Sequence, residues 1–528
     1  MIACPNCGGN VKFSIAAQQM SCEYCNSLFD PYSFDNKTKD AEEVRDFEAT
    51  IFTCPQCGGE ILSTDDAAAG FCSFCGASTI LYSRISTEHR PDYIIPFQVT
   101  KDQCKESYSN LMKKAIYAPK ELRDPEYIDG FRGIYMPYWA FHISQNGHFD
   151  IPAKKETRRG DYIYTDHVSL SGDLNAYYKG LSYDASASFA DNISEALAPY
   201  DVKPMQPFTP GFFSGFYADI ANVPSSVYEP DAMKVANNNT IKQIKKVPAF
   251  SKYSPEGASI SSDILNSKLE AADYAMLPVW FMSYKNGDRV AYASVNGQTG
   301  KVVADIPIDI KKYAIGSGIL TIPLIILLNL MLTLAPVSAL LVCSVLGILT
   351  LGLFTYEISC IIRKDTNADD LGKRYLDSIN NPNGLAQESQ PQQQPKKSSG
   401  LGGFVACILI IVAVIYSIFA ARSNHFSAGT IAVVTSCICF AMSIFASSIK
   451  STASVPVKGS GILVTSVGAI VSAAVCVISP ISDWYYYGAS IIFLVSVFLG
   501  LTDVIKAYNV LSTRKLPQFN KQGGDDRA

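Results

Sequence analysis

Cys4-Pro5-Asn6-Cys7-Gly8-Gly9 is followed by Cys22-Glu23-Tyr24-Cys25, and fifty residues later Cys54-Pro55-Gln56-Cys57-Gly58-Gly59 is followed by Cys72-Ser73-Phe74-Cys75. The match in both motif and spacing marks an internal duplication. Fourteen residues separate the two Cys-x-x-Cys pairs in each copy, enough for a short hairpin to bring them together. Two thiolates three positions apart on a tight turn face one ion, and two such turns supply the four sulfurs of a closed tetrahedral zinc site. The glycines after the first pair permit the turn that brings backbone amides toward the sulfurs. A module of about 30 residues cannot bury enough core to fold alone, so the metal contributes the missing free energy. Disulfides, a rubredoxin-like iron site and redox-active pairs are the competing uses of such cysteines. Duplicated pairs at matched spacing favour two structural Zn(2+) ions, one on Cys4, Cys7, Cys22 and Cys25, the other on Cys54, Cys57, Cys72 and Cys75. All four positions are filled in both copies, which leaves no open coordination site for catalysis.

Seven of the fifteen cysteines stand outside this pattern. Six (Cys343, Cys360, Cys407, Cys437, Cys439 and Cys476) lie in or beside apolar runs, and Cys104 reads as a small core residue on a helix. The chain opens Met1-Ile2-Ala3-Cys4-Pro5, without the basic and apolar regions of a secretory signal. The N-terminal half is therefore expected in the cytoplasm, where clustered thiols stay reduced and bind metal.

Zinc ribbons often bind nucleic acid, and charge tests that reading. Residues 1–85 hold five basic and eleven acidic residues, a net −6. Each tetrathiolate zinc adds −2, which brings the segment to −10. Phosphate binding needs clustered Lys and Arg, so the charge disfavours nucleic acid and favours protein contacts. The stretch 35–50 is dense in alternating charge and reads as a charged spacer between ribbon 1 (1–34) and ribbon 2 (51–85).

Residues 91–310 read as an α+β domain. Residues 101–117 have helical periodicity, with Cys104, Tyr108, Leu111, Met112 and Ala115 on one side. Tyr93-Ile-Ile-Pro-Phe97 is extended. Residues 135–143, 161–171 and 176–183 read as strands. Residues 279–284 and 289–295 flank Asn286-Gly287, a favoured hairpin turn, and 301–306 make a third strand. His142, His148 and Asp150 are candidates for a metal or acid–base site, but a partly buried aromatic strand accounts for them. No Gly-x-x-x-x-Gly-Lys-Ser/Thr, Gly-x-Gly-x-x-Gly or Gly-x-Ser-x-Gly motif occurs. The expectation is a non-enzyme with no catalytic residues.

Six apolar runs near the roughly 20 residues that a bilayer needs occupy 313–334, 337–356, 404–421, 429–448, 461–479 and 484–504. They divide into a transmembrane hairpin (313–356) and four helices (404–504), joined by a linker (357–403) that contains a Gln/Pro/Ser-rich stretch expected to be disordered. The tail is 505–528. With the N-terminal half inside, the internal segments hold fifteen Lys or Arg and the external ones only Arg422. That asymmetry places both termini in the cytoplasm of a multi-pass cell-membrane protein. No ionisable residue lies near the middle of a run, which argues against a transporter. A transporter-like module under ribbon regulation and a nucleic-acid-binding ribbon protein stay as alternatives. The expected fold is multidomain: two tandem Cys4 zinc ribbons, a cytoplasmic α+β domain and an all-α six-helix transmembrane region.

Cys-Pro-x-Cys-Gly-Gly twice, Tyr93-Ile-Ile-Pro-Phe97, Phe131-Arg-Gly-Ile-Tyr-Met-Pro-Tyr-Trp139, Leu277-Pro-Val-Trp280 and Val295-Asn-Gly-Gln-Thr-Gly-Lys301 together resemble the TFIIB-type zinc-ribbon membrane proteins of Gram-positive bacteria. That group includes proteins associated with PspA-like and SPFH membrane-stress proteins, and some are labelled replication-restart helicases. The resemblance covers residues 1–330. It implies zinc on the eight cysteines named above and recruitment of cytoplasmic partners, PspA-like or SPFH proteins among them, to the membrane. This chain has no helicase motor, and its last four spans exceed a two-span member. The function expected is a membrane-anchored scaffold in contact with the lipid bilayer and with cytoplasmic proteins, connected through the resemblance to envelope stress.

Overall fold

The computed structural model describes residues 2–34, 46–57, 59–63, 72, 74–75, 82–247, 252–255, 265–286, 289–331, 335–365, 370–380, 428–450 and 459–515. The first ribbon folds as a sheet of its own, β1 (Val11–Ser14), β2 (Gln19–Cys22) and β3 (Leu28–Phe29), all antiparallel. Its alternation puts Val11, Phe13 and Met20 inward, and they join the main core alongside Phe97, Phe212 and Phe213. The second ribbon differs. Its strands β4 (Asp46–Thr53), β5 (Glu60–Ser63) and β6 (Tyr82–His89) belong to a 13-stranded sheet. The last part of the expected spacer, from Asp46, is thus strand β4, which pairs with both β5 and β6. Its adjacent Ile51 and Phe52 are both buried, so this strand is covered on both faces, which a charge-based reading passes over.

The middle of the domain is dominated by two long strands. β7 (Tyr93–Ile94) leads to α1 (Lys101–Lys114), whose Thr100 and Gln103 form a reciprocal capping box. α2 (Pro125–Ile128) precedes β8 (Arg132–Arg159), which turns back into β9 (Tyr162–Asp184). The two strands expected at 161–171 and 176–183 are one, because β8 continues as a partner from Tyr138 to Arg159. Next come α3 (Asp191–Leu197), β10 (Gln206–Pro207), β11 (Tyr217–Ala218), α4 (Glu229–Lys246), β12 (Ser254–Pro255), β13 (Ser267–Asn286), β14 (Arg289–Asn296) and β15 (Val302–Ala304). The expected hairpin pairs Asn286 with Arg289, and its turn at 287–288 lies outside the described residues. Period-two alternation sorts β8 between two cores. Tyr135 joins Phe97, Tyr108, Phe131 and Trp280 on one face, while Ile134, Met136 and Tyr138 meet Ile193, Leu197 and Phe281 on the other.

The C-terminal region is helical: α5 (Ile310–Met331), α6 (Pro336–Asp365), α7 (Leu371–Asn380), α8 (Ala428–Lys450), α9 (Ser460–Ile478) and α10 (Trp484–Leu511). Among the described residues, four helices are long and apolar enough to cross a membrane: α6, α8, α9 and α10. Six expected spans therefore become four with support. The first falls on α5, where most side chains from residue 320 onward lie outside the described residues, and the third, 404–421, lies outside them entirely. Helices α6 and α10 have 30 and 28 residues, or about 45 and 42 Å, and so outreach a hydrocarbon core of about 30 Å.

Hydroxyl pairs lock the bundle: Ser344 to Thr435 at 2.7 Å, Ser436 to Ser472 at 3.0 Å and Ser443 to Ser466 at 2.7 Å. Small residues allow close approach, and a Cβ on Gly461 would stand 2.5 Å from the Gly500 Cα. The helical end is also stitched to the sheet. After α10 the chain forms β16 (Arg514–Lys515), which pairs with β14. Arg289 donates to Thr513 Oγ1, Thr513 O and Val510 O at 2.6–2.8 Å. Asn509 exchanges two hydrogen bonds with the Ile308 backbone.

Candidate metal centres

Each cysteine cluster is assembled by a knuckle and a hairpin. In the first, Gly8 N donates to Cys4 O at 2.8 Å and Cys4 N to Gly9 O at 2.7 Å. Gly8 takes φ 75°, the left-handed backbone that glycine adopts without strain. The β1–β2 hairpin then carries Cys22 to Cys7. The four Sγ atoms lie within 4.8 Å of one another, with Cys7–Cys22 at 3.5 Å and Cys4–Cys25 at 3.6 Å. The second cluster repeats the plan. Cys54 N donates to Gly59 O at 2.9 Å, Cys57–Cys72 is 3.6 Å and Cys54–Cys75 is 3.8 Å. All eight cysteines singled out from sequence thus converge in two groups of four.

These separations decide among the uses of the cysteines. A disulfide needs about 2.05 Å between sulfurs, so all eight are thiols. Four sulfurs about 2.3 Å from a central ion stand about 3.75 Å apart in a tetrahedron, close to the two pairs in each cluster at 3.5–3.8 Å, with the remaining pairs within 4.8 Å. Backbone amides point at the sulfurs, Asn6 N at Cys4 and Gly59 N at Cys57, each at 3.4 Å. In the second cluster, sulfur–sulfur hydrogen bonding drives Cys54 far below the ordinary thiol pKa and Cys57 and Cys72 far above it. The residues present fit a tetrahedral metal ion, and Cys4, Cys7, Cys22 and Cys25, and separately Cys54, Cys57, Cys72 and Cys75, would hold it with no vacant position.

The surroundings of the two centres differ. Cys4 and Cys22 are buried while Cys7 and Cys25 are exposed. In the second centre all four are buried, beneath Phe52, Ile61 and Phe74. The Phe74 carbonyl accepts from Tyr292 Oη at 3.0 Å, and the Phe74 ring packs on Phe281. The first ribbon is held more lightly. Phe13 N donates to Ser214 O, Ser214 Oγ to Val11 O, Gln18 Nε2 to Phe97 O and Tyr32 Oη to Pro207 O.

The histidines weighed from sequence do not converge. His142 pairs with Asp273 at 2.9 Å and lies against Tyr177. His148 pairs with Asp173 at 3.1 Å on an exposed edge. Cys104 is buried, and burial pushes its thiol up, as a core residue. Two polar joints went unread in the sequence. Asp191 Oδ2 accepts from Leu371 N at 2.7 Å and Oδ1 from Tyr228 Oη at 3.0 Å, which docks α7 on the α+β domain. Burial, with the Asp370 carboxylate beside it, holds Asp191 above its ordinary value. Asp503, 1% exposed, accepts from Gly461 N at 2.9 Å and so caps α9 from α10. The strong amphipathic pattern of Leu371, Tyr375 and Leu376 could have signalled the first joint, whereas the second depends on helix packing alone.

No family model matches the chain, and no solved structure matches it. The uncharacterized protein YdjG of Bacillus subtilis (strain 168) is 33% identical over 317 residues, covering 59% of this chain and 91% of YdjG. At that identity over nearly the whole of the relative, the chain belongs to the same family as YdjG.

Proposed function

We propose that the protein is a membrane-anchored zinc-ribbon scaffold that docks cytoplasmic partner proteins at the inner face of the cell membrane. The observation that carries this reading is the physical union of two closed Cys4 centres with a set of apolar helices through one α+β domain, the first centre seated in its core and the second built into its sheet. The ribbons have every ligand position filled, so a metal there shapes a surface and meets no substrate. Zinc is the ion that a reduced, tetrahedral, all-sulfur site favours. Ladder pairing of β16 with β14, the Arg289 contacts and the Asp191–Leu371 bond tie the helices to the domain that bears the ribbons.

The resemblance to TFIIB-type zinc-ribbon membrane proteins points to PspA-like or SPFH partners and to envelope stress. The acidic ribbon segment fits a protein partner better than nucleic acid. The Lys and Arg asymmetry supports an orientation with both termini in the cytoplasm. Among the described residues, three hydroxyl pairs join neighbouring helices, which fits helix adhesion better than a substrate path.

Affinity purification of the full chain from detergent-solubilised membranes tests the reading. Specific cytoplasmic partners that disappear when Cys54 and Cys57 are both changed to Ser are the expected result. Recovery of no partner, or of the same partners from the double variant, would count against it.

A further inference from the structure

The two centres share a coordination plan but differ in access, because the first has only Cys4 and Cys22 buried. Cys7 and Cys25 of the first are exposed. The four cysteines of the second are at most 2% exposed. The first centre belongs to a three-stranded sheet with no ladder pairing to the main sheet among the described residues. The second is built from β4, β5 and β6, with eight paired positions between β4 and β6 and a further join of β5 to β11.

Removal of a thiolate-bound ion proceeds by attack of an incoming ligand, so it requires access to the ion past at least one sulfur. Exposed Cys7 and Cys25 give a chelator or a competing thiol that access in the native state. At the second centre Phe52, Ile61 and Phe74 stand in the way, and Tyr292 holds Phe74 in place. Access there requires strands of the central sheet to separate, an opening far rarer than a surface fluctuation.

We propose that the first centre is an exchangeable zinc site whose occupancy controls the docking of residues 1–34, while the second is a permanent structural part of the sheet. The inference rests on the reading of both centres as zinc sites. Residues 1–34 seat Val11, Phe13 and Met20 in the main core. Their hairpin is too small to persist without its ion. Loss of that ion therefore frees the segment and bares Phe97, Phe212 and Phe213 at the seat it leaves, while the α+β domain and the second ribbon stay folded. Zinc supply then acts on the docking surface through the first ribbon alone.

The test uses the full chain in detergent micelles. Zinc is counted first by elemental mass spectrometry. EDTA and N-ethylmaleimide are then added together, with released zinc, modified cysteines and amide hydrogen exchange followed in time. One ion should leave first, with modification of Cys4, Cys7, Cys22 and Cys25 and loss of amide protection over Val11–Ser14 and Gln19–Cys22. The second ion, the modification of Cys54, Cys57, Cys72 and Cys75, and exchange over Asp46–Thr53 should lag by at least about tenfold. Two ions leaving together, the second centre emptying first, or an unchanged Val11–Ser14 after the first ion is lost would each overturn the inference and leave the zinc reading intact. A chain purified without zinc would overturn the zinc reading itself, and the inference with it.

Discussion

Asp219 sits where the second ribbon is stitched into the sheet, and its charge state gives a quantitative test of that seam. It follows Ala218, which pairs with Leu62 of β5 and Tyr135 of β8, and its own amide donates to Tyr135 O at 2.9 Å. The residue is 4% exposed, and its Oδ2 has no hydrogen-bond partner among the described residues. It borders a small cavity of about 30 Å³ with His89 and Tyr274. Burial pushes its pKa up from 3.8 to about 6, against hydrogen bonds from Ser186 and the Ile220 amide. A carboxyl with a raised folded-state pKa holds its proton more tightly in the folded protein. The stability this contributes is complete below the unfolded value and is lost as pH rises through the folded one. The whole shift corresponds to about 3 kcal/mol, and the part between pH 5 and pH 7.5 to about 1.4 kcal/mol, or tenfold in an opening equilibrium. Hydrogen exchange of the full chain in micelles, corrected for intrinsic rates, reads this in peptides covering 60–63 and 214–220. Protection should be about tenfold greater at pH 5 than at pH 7.5, and Asp219→Asn should remove the difference. An equal slope in the variant, or greater protection at the higher pH, would refute the assignment.

Three further substitutions probe the other joints. Phe13 is 5% exposed and packs on Phe212 at 5.2 Å between ring centroids, so Phe13→Ala should weaken docking of the first ribbon by about 3–5 kcal/mol. Hydrogen exchange over residues 11–22 should rise while two zinc ions are retained. Arg289→Ala removes three hydrogen bonds to the end of α10. A local loss of about 2–4 kcal/mol should appear as faster exchange over residues 508–515, with exchange over β8 unchanged. Gly461→Ala places a Cβ against the Gly500 backbone and should destabilise the α9–α10 contact by about 1–3 kcal/mol, read as a lower midpoint in SDS titration.

What the sequence disclosed followed from how local each signal is. The eight ligands were legible because the Cys-x-x-Cys chemistry is written in contiguous residues and repeated at a fixed interval. Helix α1 was legible through its period, with Cys104, Tyr108 and Met112 buried as expected. Hydropathy likewise located α6, α8, α9 and α10. Features that depend on distant partners were not legible. β16 is two residues long and becomes a strand only because β14 offers Arg289 and Val290 as partners. α7 lies in a stretch read as linker and is held by Asp191, 180 positions away in the chain. The second ribbon looked like a copy of the first, yet it is absorbed into the sheet. Its strands carry Ile51, Phe52, Ile61 and Leu62, all buried, whereas the first copy packs on the domain through Val11, Phe13 and Met20 and joins no strand of the main sheet among the described residues. The duplication preserved the ligands while the two copies took different structural neighbours.

Elemental analysis of the full chain, extracted from the membrane fraction and purified in detergent, tests whether a membrane-embedded chain carries zinc at both Cys4 centres. The expected result is recovery from membranes with two zinc ions per chain and no iron, falling to one zinc when Cys7 and Cys25 are both changed to Ser. A chain found in the soluble fraction, or one with fewer than about two metal ions per molecule, would contradict it.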